Sequence, residues 1–251
     1  MKTVFFGASH AFMMAQGLGT FSAKWEDVVD GPLPIADAGG ECVGYLMLSS
    51  PRSELFDISA AGVRIAARHA TRLAALDSPD NRCFLLIGGN EHNSLFMCTH
   101  DVPFDFHDDR HPDRIRHDRQ IVPGATIRAR LKTSLQPVAV LLRTAGAGLP
   151  AMRKYVVAPP PPIPSDEHIK GLPEAFDFER RTLEDPWIRL KVYRLYIEEL
   201  AQVCAALGLE LLLPPAHCVD EDGFLAEPFW SHSTHAKPSY YRPFIDLPLA
   251  A

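Results

Sequence analysis

Thr3-Val4-Phe5-Phe6-Gly7-Ala8-Ser9-His10-Ala11 is the stretch whose reading decides the architecture. Val4, Phe5 and Phe6 are apolar at successive positions rather than alternate ones, the pattern of a short strand covered on both faces. Gly7 ends the run, and a helix-length segment, His10–Leu18, follows it. Ser9 therefore falls on a strand-to-helix turn, with its hydroxyl at the sheet edge and its amide near the positive end of a helix dipole. The ordinary role of such a serine is to cap the helix. The chemical alternative is a nucleophile whose own N–H helps to hold an oxyanion.

The same alternation continues outward from this unit. Further short apolar runs occupy Val43–Leu48, Cys83–Ile87, Lys154–Ala158 and Leu209–Leu213, and helices are predicted at Ser59–Leu76, Val138–Gly146 and Asp185–Leu207. In Ser59–Leu76 the apolar Val63, Ala66, Ala67 and Ala70 oppose Arg64, Arg68 and Arg72 at helical spacing, and Ser59 is the expected N-cap. Trp187, Leu190, Tyr193, Leu195, Ile197, Leu200 and Val203 give the last helix a broad apolar surface. Continuous apolar strands separated by helices predict a parallel sheet with helices on both faces. Two segments interrupt the rhythm: a polar insert at 100–131, charge-dense over 107–119, and the stiff Pro159-Pro160-Pro161-Pro162-Ile163-Pro164 run. Both follow predicted strands at the carboxyl edge of the sheet, where α/β proteins place their sites.

Composition bounds the reading. The chain has 251 residues, is 47% hydrophobic and 22% charged, and carries a net charge of −6, which predicts a single globular domain over 1–251. The acidic balance disfavours a nucleic-acid partner. Neither a secretory leader nor an apolar run long enough to cross a membrane is read. The five cysteines, Cys42, Cys83, Cys98, Cys204 and Cys218, are widely spaced without a Cys-x-x-Cys pair, which fits reduced thiols and a cytoplasmic setting.

Three blocks carry residues suited to chemistry. Besides Ser9, the third strand ends in Gly88-Gly89-Asn90-Glu91. There the glycines permit a tight turn beside a ligand, and Asn90 offers an amide donor to developing negative charge. Near the end of the chain lies His232-Ser233-Thr234-His235, in which His235 is a candidate general base. A metal reading of His107, His111 and His117 is disfavoured because Pro112 breaks the helix that an i, i+4 pair would need. Arg110, Arg114, Arg116 and Arg119 read instead as a solvated mixed-charge face, or as a site for an anionic group.

The order and spacing of these blocks resemble the SGNH (GDSL-like) hydrolase superfamily across nearly the whole chain. Gly7-Ala8-Ser9 resembles its serine block, with Ala8 where Asp is common. Gly88-Gly89-Asn90-Glu91 resembles its asparagine block, with Glu91 where Asp is commoner. His232-Ser233-Thr234-His235-Ala236, led by Asp222-Gly223-Phe224-Leu225 and Phe229-Trp230, resembles its histidine block, and Val157-Ala158-Pro159-Pro160 its fourth strand exit. The resemblance implies a flavodoxin-like three-layer α/β/α sandwich around a five-stranded parallel sheet in order 2-1-3-4-5. It also implies ester chemistry through a Ser9 nucleophile, a His235 base and an oxyanion hole from the Ser9 N–H and Asn90. The expected reaction is ester hydrolysis, for example deacylation of a small metabolite or saccharide ester, or acyl transfer on the same scaffold, with no cofactor. A catalytically weak binding module is the competing expectation. Two departures stand out. His232 occupies the position of the usual Asp, leaving either a Ser–His dyad of Ser9 and His235 oriented by a backbone carbonyl, or His232 itself or a carboxylate such as Asp220 or Asp222 to orient His235. Ser49 or Ser50 follows the second strand where an oxyanion glycine is expected.

Overall fold

The computed structural model describes residues 2–18, 33–36, 43–48, 55–172 and 182–247. Its elements in chain order are β1 (Lys2–Gly7), α1 (Ser9–Gln16), β2 (Leu33–Ala36), β3 (Val43–Leu48), β4 (Phe56–Ser59), β5 (Gly62–Ile65), α2 (Ala67–Leu76), β6 (Arg82–Leu86), α3 (Glu91–Phe96), β7 (Phe104–Asp105), β8 (Gln120–Ile121), α4 (Gly124–Ala147), β9 (Arg153–Val157), α5 (Asp166–Lys170), α6 (Pro186–Leu207), β10 (Glu210–Leu212) and α7 (Pro238–Ile245).

The main sheet runs β10-β9-β6-β1-β3-β2. Its β1–β3, β1–β6, β6–β9 and β9–β10 pairings are parallel. The sheet thus has six strands rather than the expected five, because β2 adds to β3 in the antiparallel sense. Leu33-Pro34-Ile35-Ala36 is short and carries a residue without an N–H, which confines it to an edge. Alternation along β1 and β6 divides the core. Val4, Phe6, Cys83 and Leu85 pack with α2, α4 and α6, while Phe5, Phe84 and Leu86 pack with α1, α5 and α7. Helices therefore cover both faces of the sheet, as the unbroken apolar strands require.

Two helix boundaries differ from those predicted. The segment read as one helix from Ser59 starts as a hairpin, β4–β5, and becomes helical only at Ala67. Ile58, Val63 and Ile65 favour strand, and Gly62 takes φ 123° at the turn, a conformation that an interior helical residue does not adopt. Ser59 is consequently a turn residue, its hydroxyl receiving the Ala61 N–H at 3.3 Å, and not a cap. In the other case α4 begins at Gly124 rather than Val138 and carries Pro137 in its interior. The proline reads as a break in sequence, yet the apolar face from Ile127 through Leu131 and Leu135 to Leu142 is buried along the whole helix and outweighs one missing hydrogen bond.

The polar insert consequently ends near residue 123, and it lies against α6. Lys191, 1% exposed, meets the fully buried Asp105 at 2.5 Å and donates to the carbonyls of Phe106 and Arg114 at 3.0 Å. Arg119 pairs with buried Glu184, Arg116 with Asp185 and Asp118, and Arg110 with Glu198; the Arg114 guanidinium lies 4.4 Å over the Trp187 ring. His111 faces Trp187 and receives Arg194 on Nε2 at 3.1 Å. The 107–119 stretch is a mixed-charge face that stays largely exposed, and it is not an open anion site, because Arg110, Arg114, Arg116 and Arg119 each meet a side chain of this chain. Among the described residues, no three His, Cys, Asp or Glu side chains converge as metal ligands.

Candidate active site

Gly7 sits at the end of β1 between Leu48 and Leu86, and a Cβ there would stand 2.3 Å from the Leu86 carbonyl oxygen. Only glycine lets the strands close at this point, and the chain turns directly into α1. The cap position of α1 falls on Ala8, which has no side-chain oxygen to offer. Ser9 is the first helical residue, so its hydroxyl is not used as a cap and its N–H has no intrahelical acceptor. The Ser9 Oγ instead lies 2.7 Å from His235 Nε2.

His235 is delivered by a tight loop pinned by a bridge between Trp230 and Ala236. The His235 N–H donates to the His232 carbonyl at 3.2 Å, and the Trp230 indole donates to the Leu225 carbonyl at 2.6 Å. Thr234 Oγ1 lies 3.1 Å from His235 Nδ1. With Nε2 receiving the Ser9 hydroxyl proton, the tautomer assigned from these partners carries its hydrogen on Nδ1 and donates it to Thr234. Burial, with the His232 charge adding to it, lowers the His235 pKa to about 4. The His232 ring stands 6.1 Å from that of His235 and perpendicular to it.

Of the carboxylates read from sequence, Asp220 is engaged in its own turn, its Oδ1 receiving the N–H groups of Asp222, Gly223 and Phe224. The Asp222 carbonyl accepts from Arg194 at 2.5 Å.

Gly88 and Gly89 take φ 81° and 104°. A Cβ on Gly89 would meet the His10 ring at 3.2 Å and Pro159 at 3.3 Å, so the turn, the imidazole and the start of the proline run are in close contact. Glu91 holds this turn, its Oε2 accepting from the Gly89 N–H and the Tyr196 hydroxyl at 2.8 Å each. Asn90 precedes α3 without capping it, and its Oδ1 receives the Asn93 amide at 3.4 Å. Asn90, Gly88 and Gly89 are thereby gathered at the edge that holds Ser9 and His235. Ser49 and Ser50 lie outside the described residues.

Four side chains in this site escaped the sequence reading. Thr234 occupies the orienting position beside His235 Nδ1. His10 is buried against the His235 ring, with centroids 4.5 Å apart, and its Nδ1 lies 2.9 Å from the Tyr241 hydroxyl. His92, buried against Tyr193 and Tyr196, has its pKa lowered to about 3 by desolvation. His92, Pro160, Ser233 and Thr234 line a narrow cleft beside His235. The adjacency of His10 to Ser9 was a usable signal; the others join only through folding.

No family model and no curated protein matches the chain. Among solved structures, the periplasmic domain of a lipopolysaccharide acetyltransferase from Salmonella ser. Paratyphi A is 9% identical, with TM-score 0.46, over 96% of this chain and 79% of that one. Phospholipase A1 from Streptomyces albidoflavus NA297 is 13% identical, with TM-score 0.43, over 98% of each chain. Among the described residues no helix is long and apolar enough to cross a membrane.

Proposed function

We propose that this chain is a serine ester hydrolase or acyltransferase of SGNH type, built on a flavodoxin-like three-layer sandwich and acting through an acyl-enzyme. The observation that carries this reading is the 2.7 Å contact between Ser9 Oγ and His235 Nε2 at the carboxyl edge of a parallel sheet. Ser9 attacks the ester carbonyl carbon as His235 Nε2 takes the hydroxyl proton. The tetrahedral oxyanion is held by the Ser9 N–H at the start of α1 and by the Asn90 amide. Collapse breaks the carbon–oxygen bond to the leaving alcohol, which departs with the proton from His235. Water then resolves the acyl-Ser9 by the same route, or a second alcohol does so and accepts the acyl group. The substrate class is a small-molecule or saccharide ester, handled without a cofactor, nucleic acid or membrane surface. The spaced, unpaired Cys83, Cys98, Cys204 and Cys218 fit a cytoplasmic setting.

Thr234 sets the expected rate. A hydroxyl holds the imidazole in the right tautomer but brings no negative charge to the imidazolium, and neutralising the acidic member of a serine protease triad costs roughly 10⁴-fold in turnover. A slow enzyme is the consequence, and at the limit a binding module for an acylated ligand. Hydrolysis of p-nitrophenyl acetate, with fluorophosphonate labelling alongside, is the test. Turnover and labelling are expected in the parent, with both abolished in Ser9→Ala. Turnover undiminished in Ser9→Ala removes Ser9 from the nucleophile role. A parent that neither turns over nor labels leaves the binding module as the reading.

A further inference from the structure

His10 follows Ser9 in sequence, is 4% exposed, and is the only other imidazole in ring contact with His235 besides His232 among the described residues. Its two nitrogens have different surroundings. Nδ1 lies 2.9 Å from the hydroxyl of Tyr241, a fully buried residue of α7. Nε2 is buried and has no hydrogen-bond partner among the described residues. A Cβ on Gly89 would stand 3.2 Å from it, so Nε2 lies beside the Gly89-Asn90 turn.

The chemistry of the pair decides which nitrogen carries the hydrogen. Burial keeps both groups neutral, holding the His10 pKa well below the usual imidazole range and pushing that of Tyr241 up. A neutral imidazole has one donor and one acceptor. If Nδ1 donated to Tyr241, the buried phenol O–H would need another acceptor, and among the described residues its hydroxyl is hydrogen-bonded to His10 alone; leaving it unpaired costs free energy. The phenol therefore donates to Nδ1, and the hydrogen of His10 sits on Nε2, facing the Gly89-Asn90 turn.

We infer that His10 is a positioning residue for the oxyanion hole. Tyr241 fixes its Nε2–H tautomer, and Nε2–H takes the Asn90 side-chain oxygen, leaving the Asn90 amide N–H₂ to face the oxyanion on Ser9. Asn93 already donates to Asn90 Oδ1 at 3.4 Å, so the oxygen side of the amide is the side turned toward donors. Open hydrogen bonds of this kind tighten when a reacting group fills the site. The relay rests on the ester reading above, since it acts only through Asn90.

The first test reads the tautomer in the intact protein. A ¹⁵N–¹H correlation of the histidine rings, assigned with a His10→Gln control, is expected to show His10 protonated on Nε2 and bare on Nδ1. The opposite tautomer overturns the inference whatever the activity. The second test is a double-mutant cycle on p-nitrophenyl acetate hydrolysis. His10→Met is expected to lower kcat about 10- to 100-fold with KM within about twofold, part of the roughly 10²- to 10³-fold that an oxyanion donor supplies. His10→Gln, which keeps an amide donor near the Nε2 position, is expected to recover part of that loss. In an Asn90→Ala background, His10→Met is expected to cost less than about twofold, because the group it acts through is gone. An equal loss in both backgrounds, or no loss in the first, overturns the relay while Ser9-dependent turnover leaves the ester reading standing. Loss of Ser9 dependence in the parent overturns both.

Discussion

The insert over α6 and the site at the tip of β1 both gather titratable side chains, and they handle charge in opposite ways. Over α6, every buried cation has met an anion: Lys191 lies on Asp105, Arg119 on Glu184, and Arg194 on Asp108. Around Ser9 the side chains are His10, His92, His232, His235, Thr234 and Asn90, and burial holds His10, His92 and His235 neutral. In the first region, complementary charges tie a long loop to a helix. The second depends on groups that rest neutral before a proton is shared or taken up, with Glu91, bound to Gly89 and Tyr196, as the nearby carboxylate. A low-dielectric setting makes an unpaired ion costly and a neutral hydrogen-bond relay tolerable.

The largest effect expected from this contrast is on the charged side. Lys191→Met leaves Asp105 buried without its cation, and the loss of unfolding free energy in urea is expected to be about 3–5 kcal/mol. Adding Asp105→Asn is expected to restore part of it, because the stranded charge is then removed. A loss below about 1 kcal/mol for the single variant would mean that the insert is not held by this pair.

The converse change places a charge in the neutral site. His232→Asp sets a carboxylate in the loop beside His235, and kcat on p-nitrophenyl acetate is expected to rise about 10- to 100-fold, or about 1.4–2.7 kcal/mol of barrier. The pH profile sharpens the comparison. His235 must be neutral to accept the Ser9 proton, and its pKa is lowered from 6.5 to about 4. Above that value the base is available, so kcat/KM of the parent is expected to hold through pH 6 and to fall only as pH drops through about 4. In His232→Asp the new anion favours the imidazolium, and this acid limb is expected to move to higher pH. An unchanged limb and an unchanged rate would mean that position 232 does not reach His235.

The smallest effect calibrates the charged side. Arg64 pairs with Asp57 on the β4–β5 hairpin at 3.2 Å, but the Arg64 side chain is 80% exposed. Arg64→Ala is expected to change stability by less than about 1 kcal/mol in the same urea titration. A larger loss would mean that ion pairs outside the insert carry weight of their own.

Local pattern accounts for the parts of this molecule that were legible in the chain. The strands beginning at Thr3, Val43 and Cys83 are continuous apolar runs ended by breakers, and α6 is announced by Asp185-Pro186 at its start and Gly208 at its end. Other boundaries were hidden where two signals competed. Alanines beside β-branched residues made the β4–β5 hairpin resemble the front of α2, and Pro137 masked the first half of α4. In the site, Ser9, Asn90 and His235 were legible because each lies in a short block with a recognisable neighbour. Thr234, Tyr241 and His92 were not, because a threonine, a tyrosine and a histidine in isolation are ordinary core or loop residues.

By itself the sequence determined which segments become strands and helices and which polar residues stand at strand ends, since apolar periodicity, proline and glycine act over a few residues. Only the tertiary structure decided what those residues meet. The 2.7 Å contact of Ser9 with His235 spans nearly the whole chain, and Tyr241 reaches His10 across a helix packed from the other end. Such pairings follow from how the sheet faces bury their apolar surface, a long-range condition that no local pattern records.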